Sequence, residues 1–179
     1  LMDWEDDGYG IKNYRNPDGS LKSRPQNLKY MFQSGATWGF VGSGITSFRW
    51  RPEGYGFTSA AISIFGENAF DSLAFLNTNL MRLLLQVRGG TLNVVSGVVS
   101  DLPALNATPQ DRQRLRSNTE TLLKEAKTDW DAYETSWDFS LLPLLSSYHR
   151  GANIAETYAK LRTHWQSMTE EMQQLEEEN

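Results

Sequence analysis

A run of alternating arginines and aromatic residues, Phe48-Arg49-Trp50-Arg51, has the residue types that bind a polyanion. Alternate side chains of a β-strand point to opposite faces, so a strand here would place both guanidinium groups on one face and both rings on the other. The surrounding stretch 8–51 holds seven basic residues and one acid, a net charge of +6 in a chain whose total is −5. This local basic surface suits contacts to phosphates or base edges. A solvated surface, or pairing of both arginines with acids such as Glu53, is the structural alternative.

A second basic group, Arg112, Arg114 and Arg116, stands at the start of a predicted helix. The helix dipole favours acids at that end, and only Asp111 has the favoured sign. Contact with phosphate would give this placement a purpose. Exposed arginines that bind nothing are the alternative, because each misplaced charge costs little in water.

A glycine-rich stretch runs from Gly39 to Gly44. A nucleotide- or S-adenosylmethionine-binding loop needs a helix directly after such glycines, so that the helix N-terminus faces the ligand. The residues that follow, 45–50, have the composition of a strand instead. We therefore expect Gly42-Ser43-Gly44 to be a hairpin turn.

Other groups that could catalyse a reaction have simpler interpretations. Four acids close together could serve acid–base chemistry, but at helical spacing they are typical of an exposed face. His149 and His164 have no recognisable nucleophile context, and the chain has no cysteine, so a zinc site is disfavoured. The four acids are Asp129, Asp131, Glu134 and Asp138.

The elements that must position these residues fall into three sections and predict an α+β fold. Residues 1–30 are rich in Gly, Asn, Asp and Pro and indicate a loop-rich arm. Residues 31–107 predict a small mixed α/β domain. Its strands are expected at 37–41, 46–50, within 56–65 and at 91–99, and its helices at 70–77 and 80–87.

Residues 108–179 predict a long antiparallel helical hairpin. Thr108 and Pro109 form a favourable helix start, and that helix is expected to reach about residue 134. The last helix carries a heptad seam, which we expect to be buried either against residues 109–134 or in a dimer. The chain begins with Leu and ends without a stop signal, so we expect a segment cut from a longer protein, truncated at its C-terminus. No apolar run is long enough to cross a membrane, and a cytoplasmic location is expected. The seam residues are Ile154, Tyr158, Leu161, Trp165, Met168, Met172 and Leu175.

Several separate motifs resemble the PglX family of BREX-type adenine-specific DNA methyltransferases. They occur in the family's order and cover roughly residues 28–179. The most specific is Asp129-Trp-Asp-Ala-Tyr-Glu-Thr-Ser-Trp-Asp-Phe139, followed by Pro143-Leu144. The others lie at 30–40, 48–57, 64–65, 73–77, 91–93, 101–103 and 175–179.

The resemblance implies a parent enzyme that uses S-adenosylmethionine to methylate adenine in phage defence. The family's Asn-Pro-Pro-Tyr catalytic motif is absent, because no two of the six prolines are adjacent. We therefore expect a non-catalytic target-recognition segment that binds no cofactor itself. Arg49 is the better candidate to read a base, and Arg51, before Pro52, to contact phosphate. The full set of DNA-binding candidates is Lys29, Ser43, Thr46, Arg49, Arg51, Arg112 and Arg116.

The expected partners are double-stranded DNA and the methyltransferase core of the parent chain. The competing hypothesis is a protein-interaction module, whose heptad helix docks that core, another defence-system protein or a second copy of the chain.

Overall fold

The computed structural model describes residues 4–23, 25–42, 44–89, 93–104 and 106–179. Within these residues the fold is α+β, as predicted. The strands are β1 (Gly35–Gly39), β2 (Arg49–Arg51) and β3 (Ala61–Ile64). The helices are α1 (Glu5–Asn13), α2 (Asp71–Leu76), α3 (Asn79–Gly89), α4 (Ser96–Ser100), α5 (Pro109–Asp131) and α6 (Ile154–Glu178), with single 3₁₀ turns at Leu28–Tyr30 and Pro143–Leu145.

The three strands form one antiparallel sheet in the order β2-β1-β3. All three strands overlap their predicted ranges. β1 has the predicted five residues but begins two residues earlier, β2 is shorter than predicted, and β3 lies within the predicted stretch 56–65. β1 and β2 pair as the predicted hairpin, and their connection, residues 40–48, is longer than Gly42-Ser43-Gly44. Ser43 itself lies outside the described residues.

One face of the sheet is buried against α2 and α3. Ala36 and Trp38 of β1 are buried in a core that also contains Leu73, Leu76 and Leu85 from these two helices. The side chain of Asn77, just after α2, bonds both backbone groups of Phe48, accepting from its N–H at 3.0 Å and donating to its carbonyl at 2.9 Å. This paired contact fixes the chain as it enters β2.

The predicted strand at 91–99 is wrong in its second half, because residues 96–100 form α4. Asn93 makes an isolated bridge to Val41, and residues 91 and 92 lie outside the described part of the chain. Val94, Val98 and Leu102 all pack against the core. Val98 lies in α4 and the other two lie on either side of it, so burial of this segment against the core outweighs the β propensity of valine.

The N-terminal arm contains a helix that its composition did not predict. α1 follows Trp4, whose ring packs edge-on against Phe32 at a centroid distance of 5.1 Å. Asp6, Asp7 and Gly8 have left-handed backbone angles, so the first turn of α1 is irregular. The contact between Trp4 and Phe32 joins residues far apart in the sequence. Local composition does not reveal such a contact, so the glycine and aspartate content predicted a loop.

The helical hairpin is confirmed. α5 begins at the predicted cap, where the Thr108 hydroxyl accepts from the Asp111 N–H at 3.2 Å. α5 and α6 are antiparallel neighbours, because the Asn118 amide donates to the Asn179 side chain at 3.1 Å. The other ends of the two helices are joined by residues 132–153.

The heptad seam of α6 is partly buried within the chain. Leu161 is fully buried, whereas Ile154 is 79% and Tyr158 52% exposed. Four further seam residues are half-buried, namely Trp165, Met168, Met172 and Leu175. In this two-helix hairpin, α5 covers one side of the α6 seam. The other side stays exposed to solvent unless a further helix packs against it.

The hairpin is attached to the sheet domain through α5. Leu123 packs against the core of the sheet domain. Arg116 forms an ion pair with Asp71 of α2 at 2.9 Å, and Arg112 approaches the same carboxylate at 3.9 Å. Asp71 is only 12% exposed, so these contacts are better shielded from water than an ordinary surface pair.

Two histidines meet where the connection returns to α6. The rings of His149 and His164 lie 4.8 Å apart, and Tyr148 packs edge-on against His149 at 4.9 Å. The Lys160 ammonium donates to the Arg150 carbonyl at 3.0 Å. Burial first, and then the charges of His164 and Lys160, lower the pKa of His149 below its ordinary value of 6.5.

Leu161→Ala should destabilise the chain by about 2–5 kcal/mol, because the truncation leaves a cavity at a fully buried position. Ile154→Ala, at an exposed position of the same seam, is the matched control and should change the free energy of unfolding by less than about 0.5 kcal/mol. Urea unfolding followed by far-ultraviolet circular dichroism measures both. Equal effects of the two substitutions would contradict the described packing of α6.

The chain should lose stability as the pH falls below about 6.5, because His149 binds a proton more readily unfolded than folded. The stabilisation by neutral His149 is complete above its unfolded pKa and declines as the pH falls through its lower folded pKa. In His149→Gln the decline in unfolding free energy between about pH 7.5 and pH 5.5 should be smaller than in the wild type. Identical pH profiles would refute the shift.

Candidate nucleic-acid interface

The register of the sheet confirms that Arg49 and Arg51 point to the same face. Arg49 lies opposite Thr37 of β1, and Arg51 opposite Gly35. Between them, Trp50 turns to the other face, where it packs against the core and meets Phe70 at 4.9 Å. The two arginines therefore lie on the outer face of the sheet, away from α2 and α3.

Arg51 is nevertheless buried, so the prediction that it lies exposed is wrong. It is 8% exposed. Its guanidinium donates to the Gln33 carbonyl at 3.2 Å and to the Ser63 hydroxyl at 3.1 Å. The rings of Phe57 and Phe65 lie 5.3 and 5.2 Å away. Burial lowers the pKa of Arg51, although arginine stays charged at any physiological pH.

These contacts give Arg51 a structural role. One guanidinium group is hydrogen-bonded both to the segment before β1 and to the strand β3, and so links the two. The faces of the aromatic rings attract the positive charge of Arg51. It does not form an ion pair with Glu53 or with any other described acid. A phosphate could reach Arg51 only if the covering rings moved, so we withdraw it as a phosphate contact.

Arg49 differs from Arg51 in every respect that matters for binding. Its side chain is exposed and forms no ion pair with a described residue. Its cross-strand neighbour Thr37 is half-buried and donates its hydroxyl to the Ile62 carbonyl at 2.9 Å. The Arg49 end of the outer face is thus open and polar, whereas aromatic rings cover the Arg51 end.

Lys29 lies at the covered margin of the same face. Its ammonium sits over the ring of Tyr30 at 4.7 Å, and Tyr30 stacks on Phe65 at a centroid distance of 4.7 Å. Since Phe65 in turn contacts Arg51, this series of contacts brings Lys29 to the outer side of the sheet. Thr46, a further candidate, is half-buried in the connection between β1 and β2.

Arg112 and Arg116 are not brought together with Arg49. Both approach Asp71 at the start of α2, which covers the inner face of the sheet. Their position near the start of α5, unfavourable for the helix dipole, is explained by this shared acid. Sequence reasoning missed Asp71, because a partner more than 40 residues away leaves no local signal.

Two of the four acids proposed as an alternative catalytic cluster, Asp131 and Asp138, hold the end of α5 to the connection that follows it. Lys127 bridges Asp131 and Asp138 at 2.6 Å each, and Ser136 donates to Asp131 at 2.7 Å. The bond from Lys127 is the largest cause that lowers the pKa of Asp131, so that carboxylate is a poor general base. The described residues hold no group of three or more potential metal ligands, and none of the described helices could cross a membrane.

The chain is similar to two curated adenine-specific methyltransferases, which confirms the relationship suggested by the motifs. It is 28% identical over 165 residues to the adenine-specific methyltransferase PglX of Lacticaseibacillus casei (strain Zhang), covering 88% of this chain and 14% of the relative. It is also 28% identical, over an alignment 184 positions long, to the adenine-specific methyltransferase BrxX of Escherichia coli O9:H4 (strain HS). This alignment covers 98% of this chain and 15% of the relative. No protein-family model matches the chain.

Arg51→Ala should destabilise the chain by about 2 kcal/mol or more, because it removes two hydrogen bonds and the packing between two rings. Arg49→Ala should stay within about 0.5 kcal/mol of the wild type, as expected of an exposed side chain. Thermal or urea unfolding of the two variants gives the comparison. A stable Arg51→Ala variant would mean that the guanidinium is available for another role.

Proposed function

We propose that this chain is the DNA target-recognition segment of an S-adenosylmethionine-dependent adenine-specific DNA methyltransferase of a BREX or related phage-defence system. The observation that carries the proposal is the similarity of almost the whole chain to a part of two adenine-specific methyltransferases. The chain spans only 14% and 15% of these relatives, and it lacks a Pro-Pro pair. We therefore assign the methyl transfer and the cofactor to the rest of the parent enzyme, and DNA reading to this segment.

Adenine methylation creates the need for such a segment. The exocyclic amine is reached by flipping the adenine out of the stack, so the catalytic site holds one base and cannot read its neighbours. The surrounding sequence must then be read at base edges in a groove, while phosphate contacts fix the register of the protein on the duplex.

The outer face of the sheet has the chemistry for both tasks. Arg49 projects from the edge strand β2 with its guanidinium donors unoccupied by any described acid, and such a fork matches the two acceptors of guanine in the major groove. Lys29 lies at the margin of this face, where a point charge suits a phosphate. Thr46 lies in the connection that leads into β2 and could donate or accept from its hydroxyl. We retain Ser43 as a candidate on its sequence position alone.

Arg49→Ala in the complete methyltransferase should relax the preference at one position of the target sequence, at a cost of about 1–3 kcal/mol, if Arg49 reads a base. If Arg49 contacts a phosphate, Arg49→Ala should weaken binding to all DNA sequences alike. The slope of the logarithm of the binding constant against the logarithm of the salt concentration should then become shallower by about one unit. Methylation of a library of duplexes, read by sequencing, separates the two results. Both results support the proposed interface.

The matched control is Arg162→Ala, which removes an exposed arginine from α6 and should leave the methylation profile unchanged. If Arg49→Ala also left the rate and the target sequence unchanged, with the protein folded, the proposal for this face would be wrong.

A further inference from the structure

A groove runs along the helical hairpin on the side where the α6 seam is left open. It has a volume of about 450 Å³. Trp165, Met168 and Met172 of α6 form one side, and Ala126, Asp129 and Tyr133 belong to the other helix and its C-terminal end. The aromatic surface continues beyond the groove, since Tyr158 lies edge-on to Trp165 at 6.4 Å.

The lining is mixed: Asp129 is its single acid, and Thr169 adds a hydroxyl beside the aromatic, methionine and alanine side chains. Neighbouring Asp131 is held by Lys127 and Ser136, whereas Asp129 forms no ion pair with any residue the structure describes. An unpaired carboxylate beside aromatic rings attracts a cation, because the ring faces and the carboxylate both favour positive charge.

The charge of the hairpin points to the same kind of ligand. Residues 109–179 contain thirteen acids and eight bases. Five of these acids, Glu170, Glu171, Glu176, Glu177 and Glu178, belong to the last third of α6, a stretch that contains no basic residue. None of these five lines the groove, so their contribution is the net negative charge of the hairpin, which favours the approach of a basic partner over that of an acidic one.

We propose that this groove binds one amphipathic helix of a partner protein, which places a lysine or arginine side chain against Asp129, Tyr133 and Trp165. The apolar residues of that helix cover Met168 and Met172. The groove lies between two antiparallel helices, so a third helix can pack along it and bury the open flank of the seam. Methionine side chains adapt to different apolar anchors, which suits a recognition surface.

This proposal uses none of the residues assigned to DNA binding and does not depend on that assignment. If the chain bound a basic helix while Arg49→Ala left methylation by the complete enzyme unchanged, the proposed DNA-reading face would be wrong and the groove proposal would stand.

The test uses the whole chain and two synthetic amphipathic helices of about 18 residues, long enough for five turns. One peptide has leucine on its apolar face and lysine on its polar face, and the other has glutamate in place of lysine. Calorimetry should detect binding of the lysine peptide and none of the glutamate peptide. Failure of the lysine peptide to bind, or equal binding of both peptides, would overturn the proposal.

Variants locate the binding site. Asp129→Asn should weaken binding of the lysine peptide about three-fold, as expected for one partly exposed ion pair. Trp165→Leu, which stays apolar but removes the ring, should weaken it about ten-fold. The control Glu120→Gln removes the same charge from an exposed position of α5 outside the groove and should bind like the wild type.

Equal weakening by Asp129→Asn and Glu120→Gln would mean that the peptide is attracted by net charge alone, and would overturn the site. A second copy of the chain could also fill the groove. Sedimentation that showed a dimer of the wild type, dissociated by Trp165→Leu, would assign the groove to self-association and likewise overturn the proposal.

Discussion

The structure depends on burying one face of a three-stranded sheet. Such a small sheet is not stable by itself, and here Ala36 and Trp38 of the central strand are covered by the helices that follow it in the chain. Once that face is fixed as the inner one, every side chain of the edge strand β2 has its direction set, because successive residues alternate between the faces. Trp50 must turn inward, and Arg49 and Arg51 must turn outward.

The outer face shows how neighbours two residues apart can have different functions. Arg51 is covered by rings from Phe57 and Phe65, and its guanidinium forms hydrogen bonds that join β3 to the segment before β1. Arg49 has no such cover. A buried cation without an acid is tolerated because backbone oxygen, hydroxyl and aromatic rings share its charge. One arginine thus supports the surface from which the other projects.

The hairpin is joined to this sheet domain and also offers a surface of its own. Leu123 and the ion pairs at Asp71 bind α5 to the inner side, so the hairpin projects from the side opposite to Arg49. Its partly open seam and its excess of acids distinguish it from the outer face of the sheet, from which Arg49 projects. The proposed DNA-reading face and the proposed docking groove therefore use different residues of the chain.

The sequence by itself determined the features that depend on local periodicity. The alternation at 48–51 set the directions of Arg49 and Arg51, and the cap at Thr108 with the heptads of α6 determined the hairpin. Tertiary structure alone decided which arginine stays exposed, since the covering rings belong to Phe57 and Phe65, on either side of β3. It also paired Arg116 with Asp71, 45 residues away, and formed α4 where valines suggested a strand. In each of these cases burial against distant residues, which no local pattern encodes, outweighed intrinsic preference.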